Sequence, residues 1–359
     1  MQRALELAKR GLFTTQPNPR VGCVLVKDNK IIAEAWHAKA GEAHAEIHAL
    51  KQAGEHARGA DCYVTLEPCS HHGRTGPCCE ALIKAGIKRV FVAMQDPNPL
   101  VAGQGLQRLQ QAGVEVNIGL CEQAAHALNP GFIKRMETGM PYVRAKLAMS
   151  LDGRTALKNG VSQWITGPEA RADGHRLRAQ SSAIITGIGT LLADDPQLTA
   201  RVDSETYYPL RVIVDSHLRT PPTARCLSLP GKTLIATCSK DTVKQTALTQ
   251  AGAEILVLPQ RNDKIYLQAL LAELARRECN EVHIEAGAIL TGALLQENLV
   301  DELVCYIAPK LLGDQARAAF QLPEFLQLSE VPQLKIVNAE IIGEDVKVFL
   351  QLQNCLDGS

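Results

Sequence analysis

Four side chains in one segment have the types and spacing of a catalytic metal site: His44, Glu46, Cys69 and Cys78. Neutral imidazole and thiolate are good zinc ligands, and three of them leave a fourth position open for water, whose pKa zinc lowers to roughly 7. A carboxylate that is not a ligand can transfer protons beside the metal. The residues therefore predict a zinc site that performs chemistry, with Glu46 as its proton carrier.

The spacing fits the H-x-E…P-C-x-x-C signature of zinc-dependent base deaminases with one difference. Eight residues separate the two cysteines here, whereas the signature has only a dipeptide between them. Pro77 suits the first turn of a helix, which places Cys78 at the positive end of that helix, where a thiolate is favoured. Residues two apart do not share a helix face, so His44 is expected at a helix entrance.

Three alternatives stay open from the residues alone. Cys79 could replace Cys78 as a ligand, although the repeated Pro-Cys pairs favour Cys78. A metalloprotease helix needs its glutamate directly after the first histidine, which is not the order here. A closed structural zinc site could take His71 or His72 as its fourth ligand, but it would leave the glutamate without a role. These two histidines and Arg74 instead suggest a wall that holds an anionic, polar ligand.

The composition indicates which partners and which cellular location to expect. Lys+Arg and Asp+Glu are equal, at 38 each, so the chain has no basic footprint for nucleic acid. Eleven cysteines, with no N-terminal apolar segment and a site that needs reduced thiols, indicate the cytoplasm. No apolar stretch approaches the length of a membrane span. A length of 359 residues with 46% hydrophobic residues predicts two domains.

The first half alternates helical and extended patterns. Helices are predicted over about 3–12, 44–56, 103–112 and 121–136 and after Pro77. Strands are predicted at 21–26, 31–35, 62–66, 89–94 and 114–118, the first two joined by a turn at Asp28-Asn29. This is the pattern of an α/β sandwich. Metal ligands at helix starts after strands agree with the position of sites in α/β folds.

A turn signal at 138–141 divides the chain into domains 1–141 and 142–359. The second half is predicted to be another α/β domain, without a second metal constellation. Its strands are predicted at 142–149 and near 182–187, 210–215, 233–237, 254–258 and 281–285, and its helices near 168–180, 240–251 and 263–277.

Two glycine-containing segments of the second half could bind a ligand, although no G-x-G-x-x-G follows a strand. The first could bind a phosphate, and in the second close backbone approach and the paired carboxylates could position a hydroxyl. The segment 286–292 is expected to be a loop that opens a helix, with Gly287 allowing close backbone approach or positive φ. Plain helix capping is the alternative. The segment 184–190 has two glycines at a strand end, followed by Asp194 and Asp195, and a solvated acidic turn is equally compatible with it.

The chain is similar along essentially its full length to the RibD family of bifunctional riboflavin biosynthesis deaminase–reductases. The motifs of the first half are Pro17-Asn18-Pro19 with Val21-Gly22, His44-Ala45-Glu46, Thr65-Leu66-Glu67-Pro68-Cys69-Ser70-His71, Gly73-Arg74-Thr75 with Pro77-Cys78, and Asp96-Pro97-Asn98-Pro99. Those of the second half are Ser150-Leu151-Asp152-Gly153-Arg154, Gln163-Trp164-Ile165-Thr166, Ala193-Asp194-Asp195-Pro196, Val214-Asp215-Ser216, Glu285-Ala286-Gly287 and Ala308-Pro309-Lys310-Leu311-Leu312-Gly313.

The resemblance implies an N-terminal cytidine-deaminase-like α/β/α sandwich and a C-terminal dihydrofolate-reductase-like α/β domain. The first would deaminate 2,5-diamino-6-ribosylamino-4(3H)-pyrimidinone 5′-phosphate with zinc, and the second would reduce the ribosyl chain to ribityl with NADPH. The expected partner is this small phosphorylated pyrimidine, with no nucleic acid or membrane, and the chain is expected to form a homo-oligomer, either a dimer or a tetramer. The alternatives are a nucleoside or tRNA deaminase with a non-catalytic C-terminal domain, and a zinc-stabilised binding protein.

Site residues also follow from the resemblance. Zinc ligands are His44, Cys69 and Cys78, the proton shuttle is Glu46, and the pyrimidine contacts are Asn18, His37, His71 and Arg74. Reductase cofactor contacts are Ala148, Trp164, Thr190, Asp194, Ser216, Gly287, Ala288, Ile289, Leu290, Thr291, Gly292 and Ala293. Reductase substrate contacts are Ser162, Arg178, Leu198, Arg201 and Glu285, with the two arginines suited to the sugar phosphate. Gly76 stands where the family usually has a second proline, which could loosen that loop.

Overall fold

Two compact units, Met1–Met140 and Pro141–Ser359, make up the chain in a computed structural model. The structure describes residues 1–70, 76–99 and 101–352. We refer to the two parts as the N-terminal unit and the C-terminal unit, and each has its own sheets and its own buried apolar residues.

The N-terminal unit is built on a five-stranded sheet with the order β2-β1-β3-β4-β5. Its strands are β1 (Gly22–Lys27), β2 (Lys30–Trp36), β3 (Asp61–Val64), β4 (Arg89–Val92) and β5 (Glu115–Ile118). Its helices are α1 (Gln2–Ala8), α2 (Ala45–Ala53), α3 (Cys78–Ala85), α4 (Gln104–Gln111), α5 (Glu122–Leu128) and α6 (Pro130–Thr138), with 3-10 turns at Lys9–Gly11 and Gly54–Ala57. β1 runs antiparallel to β2 and β3, whereas β3, β4 and β5 are parallel.

Local signals account for most of these elements. The predicted turn between β1 and β2 is confirmed, because Asp28 and Asn29 both have positive φ, at 51° and 59°, as a two-residue hairpin loop requires. The predicted single helix over 121–136 is wrong. Asn129 leaves helical geometry at φ −129°, and Pro130 starts α6 as a separate helix. Proline cannot donate the backbone bond that a continuous helix would need there.

The C-terminal unit contains a nine-stranded sheet with the order β13-β12-β11-β8-β16-β6-β17-β20-β19. The strands of this sheet are β6 (Tyr142–Ser150), β8 (Ala183–Gly187), β11 (Leu210–Val214), β12 (Thr233–Thr237), β13 (Ala253–Val257), β16 (Glu281–Ile284), β17 (Glu302–Ala308), β19 (Leu334–Ile342) and β20 (Asp345–Leu352). The short strands outside it are β7 (Arg154–Ala156), β9 (Ala200–Val202), β10 (Glu205–Tyr207), β14 (Gln260–Arg261), β15 (Lys264–Ile265) and β18 (Arg317–Ala318).

The helices of the C-terminal unit connect the parallel strands. They are α7 (Pro168–Ala179), α8 (Ile188–Asp194), α9 (Arg225–Ser228), α10 (Thr242–Gln250), α11 (Leu267–Arg276) and α12 (Ala288–Gln296), with a 3-10 turn at Leu328–Glu330. The pairs from β13 to β17 are parallel, whereas β20 runs antiparallel to both β17 and β19. The six predicted strands are present. β17, β19 and β20 were not predicted, and β19 and β20 form an antiparallel pair with no helix between them.

No helix in the described part of the chain combines the length and the apolar character that crossing a membrane would require.

Candidate active sites

The three predicted zinc ligands come together in the N-terminal unit, two of them at helix starts. His44 is the N-cap of α2, Cys78 is the first residue of α3, and Cys69 follows β3. Their ligand atoms all lie within 4.8 Å of one another. The His44 Nδ1 is 3.6 Å from the Cys69 Sγ and 3.3 Å from the Cys78 Sγ. Two sulfurs and one imidazole nitrogen form a donor set that suits zinc.

The electrostatics of this cluster favour a thiolate. The hydrogen bond from Cys78 lowers the pKa of Cys69 to about 4, and the neighbouring His44 acts in the same direction. The backbone N–H of Cys78 also donates to the Cys69 Sγ over 3.3 Å. The bond to Cys69 in turn raises the pKa of His44. The cluster thus concentrates negative charge at a point where a cation would bind. Cys79 packs in the apolar core instead.

Glu46 lies in the first turn of α2 and is only 3% exposed. Its Oε2 has no hydrogen-bond partner among the described residues. Burial raises the pKa of Glu46, and the charges of His44 and Cys69 are close enough to act on it. A buried carboxyl with an unused oxygen beside a metal-ligating set has the position that a proton carrier needs.

Asn18 and His37 form a hydrogen-bonded pair beside the cluster. The His37 Nδ1 lies 3.1 Å from the carbonyl oxygen of Ala43, so this nitrogen donates. The Nε2 then accepts from the Asn18 Nδ2, also over 3.1 Å. The rings of His37 and His44 stand edge to face with centroids 5.4 Å apart. Both predicted pyrimidine contacts are therefore adjacent to a predicted zinc ligand.

Two further predicted contacts, His71 and Arg74, lie outside the described residues, as does the alternative ligand His72. Gly76, the departure from the family pattern, is exposed, and no atom of the described residues lies within 4 Å of the place where a Cβ would stand. The described residues therefore leave space for a side chain at this position.

Glu67 is a supporting residue to which the sequence analysis gave no role. It is buried, and its carboxylate accepts backbone N–H bonds from Asp96, Gly103 and Gly105 over 2.9 to 3.2 Å. A Cβ on Gly105 would lie 2.0 Å from the carbonyl oxygen of Pro68, so this glycine allows α4 to approach the backbone next to Cys69. The sequence feature that could have identified Glu67 is its position directly before a Pro-Cys pair that follows a strand.

A cavity of about 1860 Å³ lies in the C-terminal unit and gathers most of the predicted reductase residues. The predicted residues that line it are Ala148, Ser162, Trp164, Arg178, Thr190, Asp194, Leu198, Arg201, Ser216, Glu285, Gly287, Ala288, Ile289, Leu290 and Ala293. Such a volume exceeds that of an ordinary small-ligand pocket and can hold a dinucleotide together with a substrate.

The segment 287–293 differs from the predicted loop. Gly287 is the N-cap with φ −72°, and α12 already begins at Ala288. A Cβ on Gly287 would meet only the Thr190 Oγ1, at 3.8 Å, so the expected strain at this glycine is absent. Thr291 and Gly292 do not line the cavity. Thr291 is 1% exposed, and a Cβ on Gly292 would lie 2.0 Å from the backbone of residue 321, so these two residues serve packing.

Glu285 and Arg178 form a paired, partly buried centre in the cavity wall. The Arg178 Nε donates to the Glu285 Oε1 over 2.7 Å, and the Nη2 donates to Oε2. Burial alone would raise the pKa of Glu285, but Arg178 and His283 outweigh it and hold that pKa well below its usual range. Glu285 is therefore ionised and can only accept hydrogen bonds.

Lys146 is a cavity residue that the sequence analysis missed. It lies on β6, and its ammonium is 5.6 Å from the centroid of the Tyr306 ring. Burial lowers the pKa of Lys146, although Glu285 acts in the opposite direction. The sequence feature that could have indicated Lys146 is a second basic residue, after Arg144, inside a mainly apolar strand. Arg201 is held separately, with its Nη1 3.1 Å from the Thr199 Oγ1.

Long-range hydrogen bonds connect the second-half motifs. The Lys310 Nζ donates to the carbonyl oxygens of Trp164 and Ile165 over 3.0 and 2.6 Å. Asp152 accepts from the backbone of residues 312 and 313 over 2.8 to 3.1 Å. The Ser150 hydroxyl and these amides lower the pKa of Asp152 to about 2. Trp164, which is 63% exposed, is thereby fixed at the cavity wall.

Two family models match consecutive parts of the chain. The cytidine and deoxycytidylate deaminase zinc-binding region matches residues 1–94. The RibD C-terminal domain matches residues 141–348, which is more than half of the chain. The first match includes the cluster of His44, Cys69 and Cys78, and the second includes all of the residues that line the cavity.

Full-length relatives show the same arrangement in one protein. The riboflavin biosynthesis protein RibD of Escherichia coli is 51% identical over 98% of both chains, and that of Haemophilus influenzae is 48% identical over 97% and 95%. The Acinetobacter baumannii RibD structure has a TM-score of 0.91 with 47% identity over 98% of both chains. A Thermotoga maritima deaminase/reductase structure has a TM-score of 0.89 with 34% identity over 98% and 97%. The chain belongs to the RibD family of riboflavin biosynthesis enzymes, with a zinc-dependent deaminase region and an NADPH-dependent reductase region.

Proposed function

We propose that residues 1–141 deaminate 2,5-diamino-6-ribosylamino-4(3H)-pyrimidinone 5′-phosphate and that residues 142–359 reduce the ribosyl side chain. The product would be 5-amino-6-ribitylamino-uracil 5′-phosphate. The observation that carries the first activity is the cluster of His44, Cys69 and Cys78 beside the buried Glu46, whose Oε2 has no hydrogen-bond partner among the described residues. The second activity is supported by the cavity that contains Glu285, Arg178 and Lys146.

In the deaminase, His44, Cys69 and Cys78 would hold zinc. Bound zinc supplies a Lewis acid that makes water a nucleophile near neutral pH. Glu46 takes the proton from that water and passes it to the departing amino group, so one carboxyl acts first as base and then as acid. Its burial raises its pKa, which suits a group that must hold the proton between the two steps.

Recognition of the pyrimidine ring is assigned to polar groups next to the zinc ligands. Asn18 retains an amide oxygen for a ring donor while its Nδ2 is used by His37. His37 keeps one fixed tautomer because Ala43 accepts from its Nδ1. Burial lowers the pKa of His37, which favours a neutral ring beside a metal cation. His71 and Arg74 are proposed to complete this wall.

In the reductase, the charged residues of the cavity would bind the phosphorylated sugar chain. Glu285 accepts bonds from sugar hydroxyls, while Lys146, Arg178 and Arg201 supply positive charge. The cofactor is assigned to the side lined by Thr190, Ser216 and the start of α12, where the backbone N–H groups of the first helical turn would bind a phosphate of the cofactor. NADPH supplies the hydride there.

Separate assays test the two activities. Ammonia release and NADPH oxidation should be measured on the diamino pyrimidine, on its deaminated product and on cytidine. We expect ammonia release without NADPH, NADPH oxidation only with the deaminated pyrimidine, and no turnover of cytidine. Turnover of cytidine without NADPH oxidation would favour a nucleoside deaminase, and binding without either activity would favour a zinc-stabilised binding protein.

We also propose that the chain forms a homo-oligomer through the edge of the nine-stranded sheet. β19 is the edge strand, and Ile336, Val337 and Ile341 on it are 64%, 55% and 75% exposed. A long edge strand with exposed apolar side chains is suited to pairing with another chain. Sedimentation of wild type and of Ile341→Lys tests this, and a monomeric wild type would contradict it.

No nucleic acid or membrane is proposed as a partner, which agrees with the equal numbers of basic and acidic residues, 38 each. A cytoplasmic location is proposed because two of the zinc ligands must remain reduced thiols.

A further inference from the structure

His283 is a fully buried side chain that the proposed reaction does not use. It lies on β16, opposite Arg144 of β6 and Ile184 of β8, and is 0% exposed. Its Nε2 is 3.0 Å from the Glu285 Oε1. Its Nδ1 has no hydrogen-bond partner in the described ranges. His283 does not line the cavity but contacts Glu285, which does.

The hydrogen bonds fix where the ring proton lies. Arg178 binds both oxygens of Glu285, and an ionised carboxylate can only accept, so the His283 Nε2 must donate. The Nδ1 is then without a proton. A second proton on Nδ1 would find no acceptor among the described residues and would face the cations Arg144 and Arg178. The nearby acids are Glu281 on the same strand and Glu285 directly after it. Burial lowers the pKa of His283, in agreement with a neutral ring.

The hydrogen bond to Glu285 is the one polar contact of the His283 ring among the described residues. An apolar side chain of similar size would fill the same space without leaving a buried nitrogen unsatisfied. The Nε2–H bond is the interaction that such a replacement would lose. It approaches the Glu285 carboxylate from the sheet, whereas Arg178 approaches from α7, so the two donors together hold the plane of the carboxylate.

We propose that His283 is a positioning residue of the reductase. Its Nε2–H bond fixes the Glu285 carboxylate so that the remaining lone pair, on Oε2, accepts a hydrogen bond from a sugar hydroxyl of the substrate. The inference rests on the proposed role of Glu285 as a substrate contact, and it assigns a function to a residue outside the cavity.

Two substitutions of His283 separate the hydrogen bond from the packing. In His283→Leu the donor is lost, and we expect reductase kcat/KM to fall about 10-fold, mainly through a higher KM for the pyrimidine, as for loss of one bond to a charged group. In His283→Gln an amide can donate from a similar position, and kcat/KM should stay within about threefold of wild type. NADPH affinity and ammonia release should be unchanged in both variants.

Thr233→Val is the matched control, because Thr233 is a buried hydrogen-bonding residue of the same sheet that contacts Arg211 and lies outside the cavity lining. It should lower the unfolding temperature without changing the reductase KM. Equal losses in His283→Leu and His283→Gln, or wild-type kinetics in a folded His283→Leu protein, would overturn the proposal.

Nitrogen NMR of the ¹⁵N-histidine-labelled full chain provides a readout that needs no activity. The His283 ring should show a protonated Nε2 and a bare Nδ1 at neutral pH, the resonance being assigned by its absence in either variant. The opposite tautomer or a doubly protonated ring would refute the geometry. Absence of NADPH oxidation in wild type would instead contradict the proposed function and leave the NMR result standing.

Discussion

Replacing Glu46 with glutamine keeps the shape of the side chain and removes its acid–base function. Glu46 is 3% exposed, and its Oε2 has no partner among the residues that the structure describes, so no hydrogen bond of that oxygen is lost. Burial raises the pKa of Glu46, which means that the site disfavours its ionised form. A neutral amide avoids that cost, and the unfolding temperature of the metal-free variant should not fall below that of wild type.

The expected kinetic effect follows from the number of steps that use this carboxyl. One positioned proton carrier contributes about 10²- to 10⁴-fold to a rate. Because Glu46 is proposed to act in both proton transfers, we expect deamination to fall by at least ~10²-fold, equivalent to about 2.7 kcal/mol of activation free energy. Glu46 is not a member of the ligand cluster of His44, Cys69 and Cys78, so zinc content should remain near one per chain.

The assay pairs ammonia release with metal analysis on the same sample. NADPH oxidation with the deaminated pyrimidine serves as an internal control, because it uses the other unit. Glu80→Gln is a matched variant, since Glu80 also lies in the first turn of a helix but is exposed and paired with Arg108. It should deaminate normally. Loss of zinc from Glu46→Gln would make Glu46 a ligand, and full activity would assign the proton transfer elsewhere.

Three further outcomes are expected. Cys78→Ala should lose zinc and deamination, whereas Cys79→Ala should retain both by metal analysis, because only the first sulfur lies in the ligand cluster. Gly292→Ala should lower stability in denaturant titrations by about 1–3 kcal/mol through overpacking, whereas Gly287→Ala should be tolerated, since only the first position lacks space for a Cβ. Asp152→Asn should lower the unfolding temperature at neutral pH but not near pH 2, because hydrogen bonds from a hydroxyl and backbone amides depress the pKa of Asp152 to about 2. Its stabilisation is present above the unfolded pKa of about 4 and is lost as pH falls through the folded value.

The residues that the sequence predicted best are those whose signals are local. His44 and Cys78 were expected at helix starts from Pro77 and from the two-residue spacing of His44 and Glu46, and the structure places both there. The β1–β2 turn followed from Asp28 and Asn29. Each of these conformations depends on residues only a few positions away in the chain, so a local sequence pattern is enough to predict it.

The parts that could not be predicted depend on residues far apart in the chain. Glu67 accepts hydrogen bonds from residues about thirty positions or more away, and nothing near it in sequence indicates those partners. Gly292 looked like a phosphate-binding glycine because its contact with residue 321 is invisible in a local pattern. Lys146 similarly acquires its cavity position from the pairing of β6 with β16 and β17.

Both sites are built in the same way: residues at helix starts do the chemistry, and residues distant in sequence hold them. This explains why the motif residues could be predicted from the sequence and the residues that support them could not. His44 and Cys78 stand at the starts of α2 and α3, and Gly287 stands at the start of α12, directly after β16. The starts of helices offer free N–H groups and a positive dipole end, which favour thiolates and phosphates at these positions. The positions of these side chains are held by hydrogen bonds between distant elements. Examples are the bond that Glu67, near Cys69, accepts from Gly105 and the bond from His283 to Glu285. The motif therefore identifies the chemistry of each site, while distant polar contacts determine its geometry.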